Sequence, residues 1–409
     1  MRWWADRKPV THTTRFVDSF TGWRQVTVPF EQFGERLDTS AVIGLRLSTQ
    51  VRPKTPVLID ELRLVCADSL TVTSLEDTGA GSLRAAVNSV CAGGVVDIDP
   101  ALAGETIELQ SPLTLGKDVT IDGSGAPGLA VDGGGDQRVV EVAGGTTATI
   151  TDLTLRNGYG FQLAGGVLNN GDLTLERVTV TGNQVTTDGI DFWKGGAGVY
   201  TGENASVRIV DSTISDNSVT GAAGGGVYSF FGSTTTIEGT TISGNSSNDV
   251  GGGLRLLGDT TIRNSTISGN TSTGWHGGGL FVTDASSTFE HVTIANNTSP
   301  AGTAGGMFVG TFGAPVDVTY SSSVISGNSG AECIIDGGPA AVLTSTGGNV
   351  VADASCGAAV ATDQHGVDAL LEPLADNGGP TLTHQLGAGS PAVDAATGST
   401  QAVDQRGVS

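Results

Sequence analysis

Long apolar runs are missing from this sequence, and basic residues are scarce. No stretch of about 18 consecutive apolar residues occurs, which argues against a transmembrane helix. Only 20 residues are Lys or Arg, against 42 Asp or Glu, and the formal net charge is −22. Because proteins that bind nucleic acid normally use basic surface to displace counterions, nucleic acid is not an expected partner.

The shortage of basic residues affects only part of the chain. Residues 1–65 hold 10 Lys or Arg and 7 Asp or Glu, whereas residues 66–409 hold 10 and 35, so the net charges are +3 and −25. A neutral glycan or calcium suits the acidic part better than nucleic acid does. The acidic surface could equally serve only to keep a long protein soluble. Calcium is thus the one cofactor to consider, although the sequence contains no metal-type cluster of Cys and His.

Glycine, by contrast, is abundant at 63 residues, and it recurs with a period. Between Gly165 and Asn328 one phrase is written six times, most clearly as GGVYSFFGSTTTIEGTTISGN and GGLRLLGDTTIRNSTISGN. The asparagines that close the copies are 34, 28, 25, 27 and 31 residues apart. Repeats of this length that alternate polar and apolar residues predict a solenoid of short strands. The closing asparagines are Asn183, Asn217, Asn245, Asn270, Asn297 and Asn328.

The aligned copies place aliphatic residues in three columns, which predicts three inward-facing strands per coil. Coils that pair strand on strand stack at about 4.8 Å, and the handedness of crossovers favours a right-handed parallel β-helix. We expect the asparagines to adopt the left-handed conformation and to form a structural ladder. The Gly-Gly pairs should mark a tight corner. The columns are Val180, Ile214, Ile242, Ile267, Ile294 and Ile325; Leu175, Ile209, Ile237, Ile262 and Phe289; and Val167, Val199, Val227, Leu254, Leu280 and Met307.

A phrase such as GGVYSF followed by TTISGN resembles the repeats of bacterial polymorphic outer-membrane proteins and other pectin-lyase-like right-handed β-helix surface proteins. The similarity covers about two thirds of the chain. It implies an all-β fold on a bacterial cell surface. It does not imply one activity, because this fold carries lyases, glycosidases, adhesins and inert stalks alike.

The chain before the repeats divides into two segments. Residues 1–65 contain strand-like runs, and Gly22 to Phe30 with Asp60 to Leu64 resemble part of a jelly-roll carbohydrate-binding module related to the complex I intermediate-associated protein 30 fold. Residues 66–94 form the second segment, in which the phrase SLRAAV, from Ser82 to Val87, resembles the CSLREA-type leader of bacterial β-helix surface proteins and implies export. There Ser82 can cap a helix that covers the first coil. Leu83, Ala86, Val87 and Val90 share one face of that helix.

The β-helix itself should extend over residues 95–360, and a different pattern follows it. Residues 361–409, with LEPLADNGGPTLTHQLGAGSPAVDA, resemble the C-terminal region of bacterial choice-of-anchor Q surface proteins. No anchoring signal follows in this sequence, so the mode of anchoring and the oligomeric state stay open.

The four cysteines form two near pairs, and one pair flanks each end of the solenoid. Cys66 with Cys91 and Cys333 with Cys356 would suit disulfide staples, each stabilising the fold by about 3 kcal/mol. Free thiols are the alternative. Staples suit an extracellular or cell-surface protein. The start, MRWWADRKPV, has no apolar region of a signal peptide, so we expect the signal to lie upstream of Met1.

A possible glycan site follows from the residue after each third-column aliphatic, which should point outward. Most of these residues are aromatic, and sugar rings stack on exposed aromatic surfaces. Trp193 and Trp275, in the loops before the glycines, would overhang this strip three coils apart, about 14 Å along the axis. The alternative is that the loops fold over and bury these rings. The strip consists of Leu168, Tyr200, Tyr228, Arg255, Phe281 and Phe308.

Catalysis in the same groove is the second hypothesis. A lyase needs a basic residue near a uronate, and Lys194 and Arg255 are the candidates. An inverting hydrolase needs two carboxylates about 6.5 to 9.5 Å apart. Asp191 and Asp249 would be about 9.6 Å apart from stacking alone, with His276 one coil beyond. A third hypothesis treats the tube as a structural spacer that binds nothing.

Overall fold

The computed structural model describes residues 66–396 and 401–408. The jelly-roll segment predicted at residues 1–65 lies outside the described residues, so that interpretation stays a prediction. Within the described chain, nearly all strands pair in parallel with the strand one coil earlier and one coil later. The protein is therefore a parallel β-helix, as the repeat predicts.

Each regular coil passes through three strands, which stack into three parallel ladders named here in coil order. The first ladder comprises Leu113–Leu115, Val140–Val142, Val167–Asn169, Val199–Thr201, Val227–Ser229, Leu254–Leu256, Leu280–Thr283, Ala304–Gly310 and Ala331–Asp336. The second ladder comprises Ala67–Val72, Val90–Ile98, Val119–Asp122, Thr147–Thr151, Asp172–Glu176, Ser206–Val210, Thr234–Glu238, Asp259–Ser268, Ser286–Ala295, Val316–Ser321 and Ala341–Gly347. The third ladder reuses the ends of Asp259–Ser268 and Ser286–Ala295 and adds Thr106–Glu108, Ala130–Asp132, Thr154–Arg156, Thr179–Thr181, Thr213–Ser215, Thr241–Ser243, Val324–Ser326, Val350–Val351 and Gln364–His365.

A few elements lie outside these ladders. A short fourth ladder, which the three-strand prediction did not include, comprises Tyr159–Phe161, Gln184–Gly195, Ser218–Ala223, Ser246–Ser247 and Thr271–Ser272. The others are the helix Leu83–Ser89, the 3-10 turns Pro100–Leu102 and Gly338–Ala340, and an antiparallel pair, Leu371–Ala375 with Thr383–Leu386.

The predicted columns are confirmed residue by residue. Val180 pairs with Ile214 in the third ladder, Leu175 with Ile209 in the second, and Val167 with Val199 in the first. The same register continues through later coils. These side chains are buried in one continuous core, so each column is an aliphatic row inside the tube.

The asparagine ladder is also confirmed, with one correction to its backbone. Asn217 donates from both its backbone N and its side-chain Nδ2 to Oδ1 of Asn245, at 3.0 and 2.9 Å. Asn245 makes the same pair of bonds to Asn270. The left-handed residue, however, is the one before each asparagine, for example Asp216 at φ 55° and Gly244 at φ 66°. The expectation that the asparagines themselves adopt this conformation was wrong, since their side chains point into the coil instead.

The Gly-Gly pairs mark a close approach between coils. A Cβ on Gly253 would lie 2.6 Å from the carbonyl O of Gly279 and 3.0 Å from the amide carbon of Asn270. A Cβ on Gly226 would meet Gly253 O at 2.7 Å and the Asn245 side chain at 3.1 Å. Glycine is required there because each coil packs directly on the next coil and on the asparagine ladder.

The N-terminal end of the tube is capped by a helix and a disulfide lies near each end, as the sequence predicts. Ser82 Oγ accepts a hydrogen bond from Ala85 N at the start of the helix, whose Leu83, Ala86 and Val87 are buried. The disulfides Cys66–Cys91 and Cys333–Cys356 are both formed. An open tube end would expose core residues to water. The helix therefore acts as the cap of the first coil.

The C-terminal tail folds back along the outside of the third ladder. Thr381 Oγ1 donates to Gly239 O at 2.9 Å, and Ser268 Oγ lies 2.8 Å from His384 Nε2. Gln405 Nε2 donates to Thr241 Oγ1 at 3.0 Å, and its Oε1 accepts from Thr266 Oγ1 at 2.7 Å. The tail thus straps several coils through side-chain hydrogen bonds.

No helix in the described residues is long and apolar enough to cross a membrane.

Candidate functional site

The outer side of the first ladder carries the predicted strip, and its register is confirmed. Tyr200 pairs with Tyr228, Tyr228 with Arg255, Arg255 with Phe281, and Phe281 with Phe308. The rings of Tyr200 and Tyr228 are 5.2 Å apart between centroids, and those of Phe281 and Phe308 are 4.4 Å apart. The five side chains form one continuous row along the tube.

The prediction that this row is exposed was wrong. All five side chains are buried, and Leu168 beside them is half-buried. The physical reason is that the segments on either side of the first-ladder strands fold over the row. On one side lies the insertion in Gln184–Gly195, whose pairing with the next coil is interrupted by bulges. On the other side lie Phe230 and Phe231, which pack on the row.

The covering segments themselves present aromatic rings to solvent in two places. The first, here called the Trp193 cluster, consists of Phe192, Trp193 and Phe231. Trp193 is 45% exposed and lies 5.4 Å from Phe231 between ring centroids. A hydrogen bond links this cluster to the buried row, since Tyr228 Oη donates to the backbone O of Phe192 at 2.9 Å.

The second place, here called the Trp275 cluster, consists of Trp275 and Phe312 above the buried rings of Phe281 and Phe308. Trp275 is 39% exposed and Phe312 is 56% exposed. The Trp275 ring lies 6.1 Å from Phe281 and 5.8 Å from Phe308 between centroids. The Phe312 ring lies 6.2 Å from Phe281. The sequence left open whether the loop tryptophans are exposed or buried. The structure places both Trp193 and Trp275 at the surface.

Arg255 lies between the two clusters but is closed off from solvent. Its guanidinium carbon is 4.5 Å from the centroid of Phe281, and Nη1 donates to Thr283 Oγ1 at 2.8 Å. Only 1% of the residue is exposed, and burial lowers its pKa. Its Nε has no hydrogen-bond partner in the described part of the chain. Arg255 therefore belongs to the buried row. This position does not fit the role of a lyase base, because such a base must reach the substrate.

Asp249 is the most perturbed acid of the site. It is 5% exposed, and its Oδ2 has no hydrogen-bond partner within residues 66–396 and 401–408. Burial raises its pKa to about 6, although the nearby Arg255 acts in the opposite direction. A buried carboxyl without a partner is costly when charged. Asp249 therefore holds its proton more tightly than an ordinary aspartate does.

The remaining catalytic candidates are Asp191, Lys194 and His276, and the first and last of them have local structural roles. Asp191 Oδ1 accepts a hydrogen bond from Trp193 N at 3.0 Å, which shapes the insertion. Lys194 is half-buried at the end of the same loop. His276 packs between Trp275 and Phe308, and its Nδ1 accepts from Ala304 N at 3.2 Å. Burial lowers the pKa of His276. The separation of Asp191 and Asp249 that an inverting hydrolase needs stays a prediction.

Replacing Asp249 with asparagine should stabilise the protein at neutral pH and not in acid. The pKa of Asp249 is about 6 in the fold, above the ordinary value of 3.8. Its contribution to stability is thus greatest below about pH 4 and is lost as the pH rises through about 6. We expect Asp249→Asn to raise the free energy of unfolding by about 1 to 3 kcal/mol at pH 7.5. At pH 4 the difference should vanish, and an equal gain at both pH values would contradict the assignment. Urea denaturation at the two pH values measures this.

No group of three or more His, Cys, Asp or Glu side chains in the described residues is arranged to hold a metal ion.

Sequence reasoning missed Phe231 and Phe312. Both lie just after a first-ladder strand, within the turn that leads to the second ladder. An aromatic residue in the turn that follows a first-ladder strand was the available signal.

Comparison with known proteins supports the architecture. A family model described as the right-handed beta helix region matches residues 114–353, which is more than half of the chain. No curated protein and no solved structure matches the chain. The match fixes the handedness that crossover chirality predicts.

Proposed function

The chain belongs to the right-handed β-helix family, and from that premise we propose that it is a secreted or cell-surface protein that binds polysaccharide. The observation that carries the proposal is the pair of exposed aromatic clusters around Trp193 and Trp275. Large aromatic side chains at the surface of a soluble fold are costly to hydrate, and they offer flat apolar faces that suit sugar rings.

Two further features support this proposal. The two disulfides are compatible with an oxidising, extracellular setting. Both clusters are also held in place before any ligand arrives. Asp191 fixes the backbone of Trp193, and Asp284 Oδ1 accepts hydrogen bonds from the backbone N of Phe312, Gly313 and Ala314, each at 2.9 Å. Pre-organised binding residues lose little conformational freedom when they bind.

A glycoside hydrolase is the second candidate, and Asp249 favours it. A carboxyl that keeps its proton to about pH 6 has the property of a general acid. Its burial beneath the surface is the observation against this role, because a general acid must reach the glycosidic oxygen. The partner carboxylate would be Asp191.

One experiment separates these functions. The purified chain is incubated with neutral and uronate polysaccharides, with and without calcium, while retention and new reducing and unsaturated ends are followed. Retention on a polysaccharide without new ends supports binding. New reducing ends that disappear in Asp249→Asn would establish the hydrolase instead, and unsaturated ends would indicate a lyase. If the protein is not retained on any polysaccharide of the panel and no new ends appear, the hypothesis of a structural spacer is the one that remains.

A further inference from the structure

We infer that the two aromatic clusters are two subsites for one extended, uncharged glycan chain that runs parallel to the tube axis. This inference rests on the proposed function and specifies its ligand. The glycan would stack one sugar on the Trp193 cluster and a later sugar of the same chain on the Trp275 cluster.

The geometry of the first ladder sets the distance between the subsites. Trp193 lies shortly before the first-ladder strand Val199–Thr201, and Trp275 lies shortly before the first-ladder strand Leu280–Thr283. These strands are three steps apart in the ladder, so the subsites are separated by about 14 Å along the axis. A disaccharide can therefore occupy only one cluster, whereas a hexasaccharide is long enough to reach both.

Both clusters lie on the same side of the tube. The buried row from Tyr200 to Phe308 runs beneath them without interruption. Trp275 packs directly on Phe308 of this row. Phe231 packs on Phe230, which in turn packs on Tyr200 of the row. A ligand that follows the tube axis above this row meets both clusters without crossing an edge of the helix.

The charges beside the clusters favour an uncharged ligand. Arg255, the cation between them, is buried and cannot pair with a uronate in solvent. Lys194 is half-buried beside Trp193, but the same insertion carries Asp191, which is also half-buried. Asp188 and Asp336 are exposed, and Asp284 is half-buried. Asp188 belongs to the insertion that carries Trp193, Asp284 accepts a hydrogen bond from Phe312 N, and the charge of Asp336 acts on His276, so acidic groups border both clusters. A polyuronate would be repelled by this border, whereas a neutral polysaccharide would not.

Chain-length dependence tests the inference. Binding of cello-, manno- and xylo-oligosaccharides of two and six units is measured by calorimetry for the unmodified protein and for Trp193→Ala and Trp275→Ala. Where two subsites engage one chain, the second contact is intramolecular. We expect the best hexasaccharide to bind at least about 100-fold more tightly than its disaccharide. Either single substitution should remove most of that gain while leaving disaccharide binding at the other cluster.

Several results would overturn this inference in distinguishable ways. If a hexasaccharide binds no more tightly than its disaccharide, the proposed function stands but the two clusters do not share a chain. Tighter binding of an oligogalacturonate of six units than of every neutral one would overturn the uncharged ligand. Binding of no oligosaccharide of either length would overturn the polysaccharide-binding function itself. Both tryptophans are partly exposed, and unchanged melting temperatures of the variants would show that the substitutions act on binding and not on folding.

Discussion

Replacing Trp193 and Trp275 together with alanine is expected to abolish retention of the protein on the polysaccharide that it binds. Both tryptophan rings are solvent-exposed members of their clusters, at 45% and 39% exposure. Removing a large aromatic contact from a binding surface typically costs about 2 kcal/mol or more. Two such losses weaken binding by roughly 1,000-fold if they add. Affinity electrophoresis in gels that contain the polysaccharide measures this loss.

Tyr228 is left intact in that experiment because it is fully buried in the row beneath the clusters. Truncating it would open a cavity and unfold the coil locally. The matched control is Val342→Ala, which removes an exposed apolar side chain from the second ladder and not from the surface over the first ladder that carries the clusters. The control should run as the unmodified protein does. Unchanged retention of the double variant would remove both clusters from the account.

Replacing Asn245 with alanine should lower the free energy of unfolding by about 3 to 5 kcal/mol. Asn245 lies inside the ladder, fully buried, and its Oδ1 accepts one hydrogen bond from the backbone N and one from the Nδ2 of Asn217. Its Nδ2 donates to Asn270 and to Ile214 O. Alanine would leave the backbone N–H of Asn217 buried without an acceptor, and its Nδ2 would keep only the hydrogen bond to Val180 O. Buried donors that lose their acceptor are costly.

Urea denaturation followed by circular dichroism measures the effect of Asn245→Ala. Asn88→Ala provides the control, since Asn88 is exposed on the helix Leu83–Ser89 and faces water. We expect the control to change the unfolding free energy by less than about 0.5 kcal/mol. Equal effects of the two substitutions would show that the ladder is not a source of stability.

The sequence was sufficient to predict the coil because each repeat records the same physical constraints. Residues such as Val180 and Ile214 recur at one position since that position faces the core in every coil. The glycines recur since a Cβ at Gly226 or Gly253 would collide with the neighbouring coil. Constraints repeated six times are visible in one sequence without any alignment of relatives.

The surface could not be predicted in the same way. Alternation along a strand correctly indicates that Tyr228 and Phe281 point away from the core. It does not indicate what lies on top of them. The covering segments differ in length from coil to coil: Gln184–Gly195 has 12 residues, whereas the strand that follows it in the same ladder, Ser218–Ala223, has 6. The position of Trp193 therefore depends on a single loop conformation that no periodic pattern encodes.

The strap formed by the tail was missed for a related reason. Thr241 and Thr266 look like ordinary outward strand residues, and their partner Gln405 lies more than 130 residues away in sequence. Threonine recurs at the same position in other coils, for example at Thr179 and Thr213, so the sequence does not distinguish the threonines that bind the tail. Long-range contacts between polar side chains are set by the folded geometry alone.

The most direct test of polysaccharide binding by the two clusters is acrylamide quenching of tryptophan fluorescence with and without the bound polysaccharide. The sequence has five tryptophans, and Trp193 and Trp275 are two of them. We predict that the polysaccharide protects the protein from quenching and that Trp193→Phe and Trp275→Phe each remove part of the protected signal. Retention of the polysaccharide with no protection of either tryptophan would contradict the account, because the ligand would then bind elsewhere on the tube.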